Sequence, residues 1–251
     1  VTTSQRHADH RTCSHHEGAP AIAICTECGG DICAACHGSD LRGYCICSVC
    51  REKFAPPTTP WEDPNEDYSP RAFARTLVDV VTSPRTFFQN VRFSGSWGPA
   101  VAFGLLCLGV GLLFSTGWQM LFFEQYQELI NTVAEQSGAT FDMARVALFV
   151  AVPIRAVLIF MAHVGIFHLA TRLAGGHSSF SLSARIVGYA SAGYAFLLIP
   201  PIAEFPLGHF LSIIWVFNIE IGALRMYFRM GIWRAMFVVM ATLMLLLPFG
   251  F

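Results

Sequence analysis

The second half of the chain is a succession of apolar runs parted by short polar stretches. Five runs reach the roughly 20 residues that an α-helix needs to cross a hydrocarbon core about 30 Å thick: approximately 98–120, 146–170, 184–203, 208–228 and 231–251. Only a short turn around Pro206 separates the third from the fourth. Before them, residues 71–96 follow a different pattern. Phe73, Leu77, Val78 and Val81 recur at helical spacing, with Arg71, Arg75 and Asp79 elsewhere around the helix. Ser83-Pro84 then offers an N-cap and an N1 proline for a second short helix, which carries Phe87, Phe88 and Val91 beside Arg85 and Arg92. Short helices with apolar and basic faces are expected in the plane of the membrane interface; packing on the protein's own bundle is the competing arrangement. Residues 56–70, PPTTPWEDPNEDYSP, show neither period, and their five prolines and four acidic residues predict an extended spacer.

Composition strengthens the membrane reading. Of 251 residues, 54% are hydrophobic and 13% charged, against about 25% charged in a soluble domain. A net charge of −1 gives no global basic field for nucleic acid. Charge in the connections sets an orientation. Arg71, Arg75, Arg85 and Arg92 precede the first run, and Glu124, Glu128, Glu135 and Asp142 follow it with a single Arg145. Arg172 and Arg185 come next, then Glu204 and His209 without Lys or Arg, then Arg225, Arg229 and Arg234. Basic and non-basic connections alternate, which predicts the N-terminus inside and the C-terminus outside. No apolar stretch opens the chain, so a cleavable signal peptide is not expected.

Eight of the nine cysteines lie in the first 50 residues. Seven of them, with His16, form Cys13-x2-His16, Cys25-x2-Cys28, Cys33-x2-Cys36 and Cys47-x2-Cys50. This spacing lets two side chains of one tight turn reach the same ion, and two such pairs complete a tetrahedral zinc site. Four pairs imply two structural Zn2+ ions. Only four residues part the second pair from the third, which makes it awkward for those neighbours to share an ion. Two arrangements remain: pairs one with three and two with four, or one with two and three with four. Cys45 and His37 are spare, and His7, His10 and His15 read as solvated residues around the first pair. Thiolates need a reducing compartment, so this end is expected in the cytosol. Eight ligands fill two tetrahedra and leave no open position for catalysis. Residues 1–55 hold five basic and six acidic side chains, so no nucleic acid is expected as a partner. An unidentified protein partner of the finger is the role left.

Two resemblances follow from these motifs. The C-x2-H-x8-C-x2-C-x4-C-x2-C-x10-C-x2-C pattern of residues 13–50 resembles the B-box type of zinc finger, in a cysteine-rich version found at the N-termini of bacterial membrane proteins. That resemblance implies the interleaved ligand sets Cys13, His16, Cys33, Cys36 and Cys25, Cys28, Cys47, Cys50. Residues 71–251 resemble the Yip (Ypt-interacting protein) family through Ser83-Pro84 with Phe87, through Gly175-Gly176 followed by Phe180, Tyr189 and Ala190, and through the five-run layout. Eukaryotic members of that family bind small Rab-type GTPases and influence vesicle traffic and membrane shape; the resemblance implies the fold and a non-enzymatic role.

The expected organisation is therefore a B-box-like finger over 1–55, a proline-rich acidic linker over 56–70, amphipathic interfacial helices over 71–96 and a five-span membrane domain over 97–251. As a fold class this is an all-α integral membrane domain plus a small zinc-stabilised cross-brace finger, in contact with membrane lipids in a bacterial inner membrane. Arg155, His163 and Glu220 are ionisable residues inside the apolar runs, costly if left facing lipid. Glu220 has Arg155 or the nearer His163 as its expected partner, with Asn218 assisting. The alternative function they suggest is a small ion- or proton-coupled transporter or channel. Gly188, Ala192, Ser191 and Ala195 form small-x3-small pairs that permit close helix packing, and Gly104, Gly109 and Gly111 are expected to act likewise.

Overall fold

The computed structural model describes residues 12–26, 28–39, 45–53, 59–63, 68–90, 96–176, 178–202 and 205–246. His7, His10, Val91, Arg92, Glu204 and linker residues 56–58 and 64–67 lie outside the described residues. The chain divides into two units, Val1–Pro57 and Thr58–Phe251.

In the first unit, β1 (Ala23–Ile24) pairs antiparallel with β2 (Asp31–Ile32), and β3 (Gly38–Ser39) pairs with β4 (Cys45–Ile46). Helix α1 (Ser48–Lys53) follows. The two hairpins are joined where the Thr26 N–H donates to the Cys45 carbonyl at 2.9 Å. Its core cluster consists of Ile32 and six cysteines. So few residues cannot bury enough apolar surface to fold unaided. The sulfurs therefore occupy the place of a hydrophobic core.

The second unit is built of helices α2 (Pro70–Thr82), α3 (Pro84–Asn90), α4 (Gly98–Phe122), α5 (Glu124–Ser137), α6 (Phe141–Leu173), α7 (Phe180–Ala190), α8 (Leu207–Tyr227) and α9 (Ile232–Leu246). Of these, α4, α6 and α8 are each long and apolar enough to cross a membrane. The third apolar run takes a different form: α7 continues directly into a 3-10 helix, Ser191–Leu198. At 1.5 and 2.0 Å rise per residue the two together extend about 32 Å, which matches a hydrocarbon core. Helix α9 is shorter, and residues 247–251 lie outside the described residues. Helix α6 begins five residues before the expected start. The acidic stretch between the first two runs is itself helical: Ile130 and Ala134 of α5 are buried with Ala144 of α6 and Met120 of α4.

The third run is the centre of the bundle, with residues 183–194 all buried. Small residues make this possible. A Cβ on Gly104 would lie 2.8 Å from the Gly188 carbonyl oxygen, and one on Gly188 would overlap the Ala100 carbonyl. Gly111 meets Tyr194 and Gly193 meets Val216 in the same way, whereas Gly109 has open space beside it. Backbones that touch this closely gain dispersion and exclude lipid. Gly188→Leu should therefore push α4 off α7. Thermal unfolding of the purified chain in detergent should fall well below wild type, by an amount equivalent to about 3 kcal/mol or more, while Gly109→Leu should change little. Equal melting of the two variants would show that this crossing does not hold the bundle.

The segments ahead of α4 differ from expectation. Residues 59–63 do not form an extended spacer. Pro60–Glu62 is a 3-10 turn whose Trp61 is buried in the bundle core, where its indole N–H donates to the Pro99 carbonyl at 2.7 Å and its backbone N–H to Thr76 Oγ1 at 3.0 Å. A large aromatic gains more by burial than an acidic spacer gains by remaining solvated. Helices α2 and α3 also pack on the bundle rather than presenting their apolar faces outward. Ala72, Thr76, Val80, Phe87 and Phe88 are buried, Phe73, Leu77 and Val81 pack against the core, and Val78 points away from it. The carbonyls that end these helices find partners on α8: Trp215 Nε1 donates to Val81 at 3.1 Å, and the Tyr227 hydroxyl donates to Phe88.

Candidate functional site

Local backbone geometry assembles the metal-ligand pairs. Cys25 and Cys28 lie in the turn between β1 and β2, where the Gly29 N–H bonds to the Cys25 carbonyl at 2.9 Å and Gly29 takes a positive φ of 71°. Glycine adopts that conformation without steric cost. Cys33 and Cys36 share a turn after β2, closed by N–H bonds from Cys36 and His37 to the Cys33 carbonyl. Cys47 follows β4 directly and Cys50 sits in the first turn of α1.

Two clusters result. Cys13, His16, Cys33 and Cys36 form one; Cys25, Cys28, Cys47 and Cys50 form the other, and the donor atoms within each lie within 4.8 Å of one another. This is the interleaved grouping. In a zinc tetrahedron with Zn–S near 2.3 Å and Zn–N near 2.0–2.1 Å, S···S edges are about 3.8 Å and S···N edges about 3.6 Å. Cys13 Sγ lies 3.7 Å from Cys36 Sγ, and Cys28 Sγ 3.9 Å from Cys47 Sγ. His16 Nδ1 lies 3.9, 3.5 and 3.1 Å from the sulfurs of Cys13, Cys33 and Cys36. The residues present thus fit a tetrahedral ion in both clusters.

Electrostatics favour thiolate at Cys13 and Cys33 of the first cluster. Burial opposes ionisation of Cys13, but the N–H groups of His15 and Cys33 and the side chains of Cys33 and His16 outweigh it and bring the thiol down to about 6. The backbone N–H of Cys36 leads in lowering Cys33, and the Cys13 sulfur leads in raising His16. Burial pushes Cys36 up, and it pushes Cys50 up to about 12, so a cation is needed to ionise Cys50 at neutral pH. Backbone N–H groups also point at sulfur in the second cluster, from Cys47 to Cys25 at 3.3 Å and from Cys50 to Cys47 at 3.2 Å. Cys45 and His37 belong to neither cluster; they face each other at 3.5 Å.

Inside the bundle, Glu220 meets His163 and not Arg155. His163 Nε2 lies 2.8 Å from Glu220 Oε1, and the two residues are 1% and 0% exposed. Arg155 is eight residues earlier on α6, about 12 Å along the axis, and lines a cavity with His209 instead. Asn218 does not assist the pair: it is exposed and donates to the Ile214 carbonyl of its own helix. His168 bonds to Ser183 at 3.1 Å.

A second buried charge cluster was not foreseen. Arg185 Nη2 lies 2.6 Å from both carboxylate oxygens of Glu62, and Nη1 donates to the Ser96 carbonyl at 3.2 Å. The Tyr189 hydroxyl donates to Glu62 Oε1 at 2.5 Å and accepts from Thr59 Oγ1 at 3.2 Å. Arg185 is 2% exposed, so it is a paired interior cation rather than a connection charge. Spacing carries no signal for this cluster, because Glu62 and Arg185 are 123 residues apart. The one hint is Trp61, a large aromatic within a proline-rich acidic stretch.

Two residues of the motifs shared with a known family, Phe87 and Tyr189, meet beside this cluster. The Phe87 and Tyr189 rings pack edge to face with centroids 4.9 Å apart. Gly175 turns the chain out of α6 with φ 85°, and Gly176 packs against Thr171 and Met230. No curated protein and no solved structure matches the chain. The family model described as the Yip1 domain matches residues 78–251, which run from within α2 to the last residue. With that match over more than half of its length, and with its apolar helices packed around α7, the chain is a multi-pass membrane protein that belongs to the Yip1 domain family.

Proposed function

We propose that this protein is a non-enzymatic membrane adaptor. Two structural zinc ions, one on Cys13, His16, Cys33 and Cys36 and one on Cys25, Cys28, Cys47 and Cys50, fold a B-box-like docking module. The module recruits a protein partner, while the helical unit organises lipid or assembles with other membrane proteins. The observation that carries this reading is that each cluster has four donors and closes on itself; a catalytic zinc keeps an open position. Ile22, Ile24 and Val49 support a docking role, since all three large aliphatics are more than half exposed on a very small unit. The finger's resemblance to modules of bacterial membrane proteins favours a bacterial inner membrane, and thiolate chemistry and connection charge favour the finger in the cytosol, the C-terminus outside and five spans. With Arg185 consumed by Glu62, that argument now rests on Arg172 in the second basic connection.

The test is affinity purification from native membranes with the intact chain and with Ile22→Asp/Ile24→Asp. A partner that co-purifies with the first and is lost from the second, while both variants retain two zinc ions, supports the adaptor. The rival reading is a proton- or ion-coupled transporter using Arg155, His163 and Glu220, favoured by the sealed His163–Glu220 contact. In liposomes, a proton-coupled flux that vanishes in a folded Glu220→Gln variant would replace the adaptor with the transporter.

A further inference from the structure

A cavity of about 660 Å³ opens between α4, α6, the 3-10 helix and α8, and Gln125, Tyr126 and Leu129 of α5 form part of its wall. Its lining changes character along α4. Leu108, Leu112, Ser115 and Gln119 recur at helical spacing on the face turned to the cavity. They are apolar in the middle of the helix and polar toward its end at Phe122. Helix α8 supplies more polar groups from its start. His209 Nε2 lies 2.9 Å from Ser115 Oγ, and Ser212 is one turn further along the same face. Ser212 is 2% exposed, lines the cavity, and its hydroxyl has no hydrogen-bond partner among the described residues. A buried hydroxyl in that state calls for a polar atom from outside the chain. Ile159 and Leu197 extend the apolar side.

We propose that this cavity holds one acyl chain of a glycerolipid, whose ester carbonyl accepts a hydrogen bond from Ser212. The chain lies along Leu108, Leu112, Ile159 and Leu197, and the glycerol and head group lie toward Gln119 and Gln125. Three features select this ligand. Helices α4, α6 and α8 are each long and apolar enough to cross a membrane, so lipid is the molecule that surrounds the opening. Ser212 lacks its partner beside an apolar wall, which suits an uncharged oxygen attached directly to a hydrocarbon chain. The volume is in the range of about 300–1,000 Å³ typical of pockets that orient an apolar ligand through a few polar groups. Recognition of an ester needs no counter-charge. Arg155 also lines the cavity, but it is already engaged within the protein, so the charge of the head group is not what the site reads. This site is separate from the finger and stands whether or not the finger recruits a partner.

Native mass spectrometry of the full chain in dodecyl maltoside tests the proposal. The probes are dioleoyl phosphatidylcholine, whose chains are ester-linked, and its diether analogue with the same chains and head group. One diester lipid per chain should be retained about fivefold better than the diether, as one net hydrogen bond provides. Ser212→Ala should lower retention of the diester to that of the diether and leave the diether unchanged, which a merely structural role for Ser212 would not do. Dioleoyl phosphatidylglycerol should be retained as well as dioleoyl phosphatidylcholine. Ile213→Trp, which narrows the cavity without removing a polar group, should abolish retention of every probe and decides the matter if Ser212→Ala does not fold. Equal retention of diester and diether by the unaltered chain, an ester preference that survives in Ser212→Ala, or full retention by Ile213→Trp overturns the proposal. A marked preference for phosphatidylglycerol also overturns it, in favour of a site that reads the head group.

Discussion

Removing metal from the purified chain should unfold residues 12–53 and leave the helical unit folded. Metal analysis should first find two zinc ions per chain. Chelation should then abolish hydrogen-exchange protection at Cys25, Ile32 and Cys47, and leave that at Val187 and Ala192 unaltered. The expected effect is large because the finger has almost no other source of stability. Its core is Ile32 and the ligands themselves, and structural zinc binding is worth about 10–16 kcal/mol in small zinc-finger peptides at neutral pH. Without the ion, buried thiols replace metal bonds, and the strands of two residues each cannot hold together alone. Cys25→Ser should reproduce the loss at one cluster, whereas Cys45→Ser, outside both clusters, should keep both ions. Acid acts in the same direction as the chelator. The ligands must be deprotonated to bind, so metal is held at neutral pH and released as pH falls. Protection that survives chelation, or a single ion per chain, would defeat the assignment of two structural sites.

Glu62→Ala should destabilise the helical unit by about 3–5 kcal/mol, the cost of leaving a buried cation without its partner. The carboxylate contacts Arg185 through both oxygens and accepts the Tyr189 hydroxyl, and it is carried on the same turn that buries Trp61. Losing it strands a guanidinium that is 2% exposed in the middle of the bundle. The turn should also detach, exposing Trp61 to solvent with a red shift in its fluorescence. Glu62→Leu/Arg185→Leu should be much less harmful than Glu62→Ala alone, because replacing both members of a buried pair with apolar groups removes the desolvation cost as well as the attraction. Thermal unfolding in detergent checks the order. If the double variant melts no higher than the single one, the harm comes from lost packing rather than from an uncompensated charge.

Both predictions concern clusters of charge, yet they differ in how far they could be read in advance. A C-x2-C or C-x2-H pair is local, since both ligands sit in one turn and the turn needs only a few residues. The members of the two donor clusters were therefore legible in the order of residues. Which pairs would share an ion was open, because the answer depends on how two hairpins dock. The contact between Thr26 and Cys45 brings the second pair to the fourth.

In the membrane half, the apolar runs were legible because an α-helix must supply about 20 apolar residues wherever it crosses lipid. The backbone form of each run was not legible. The third continues as a 3-10 helix, where its small residues let α4 and α8 press against its backbone. The acidic stretch before α6 is a helix because its few apolar residues find a neighbour in α6.

What the sequence by itself determined is the set of local features: eight Cys and His side chains paired in four turns, and the positions of the apolar runs. A period or a fixed spacing is enough to specify each of them. What only the tertiary structure decided is the partnership of residues far apart in the chain. Glu62 with Arg185, and Glu220 with His163 rather than Arg155, are such cases. Burial makes an unpaired charge so costly that each must find a partner, but the bundle's packing alone determines which residue is within reach.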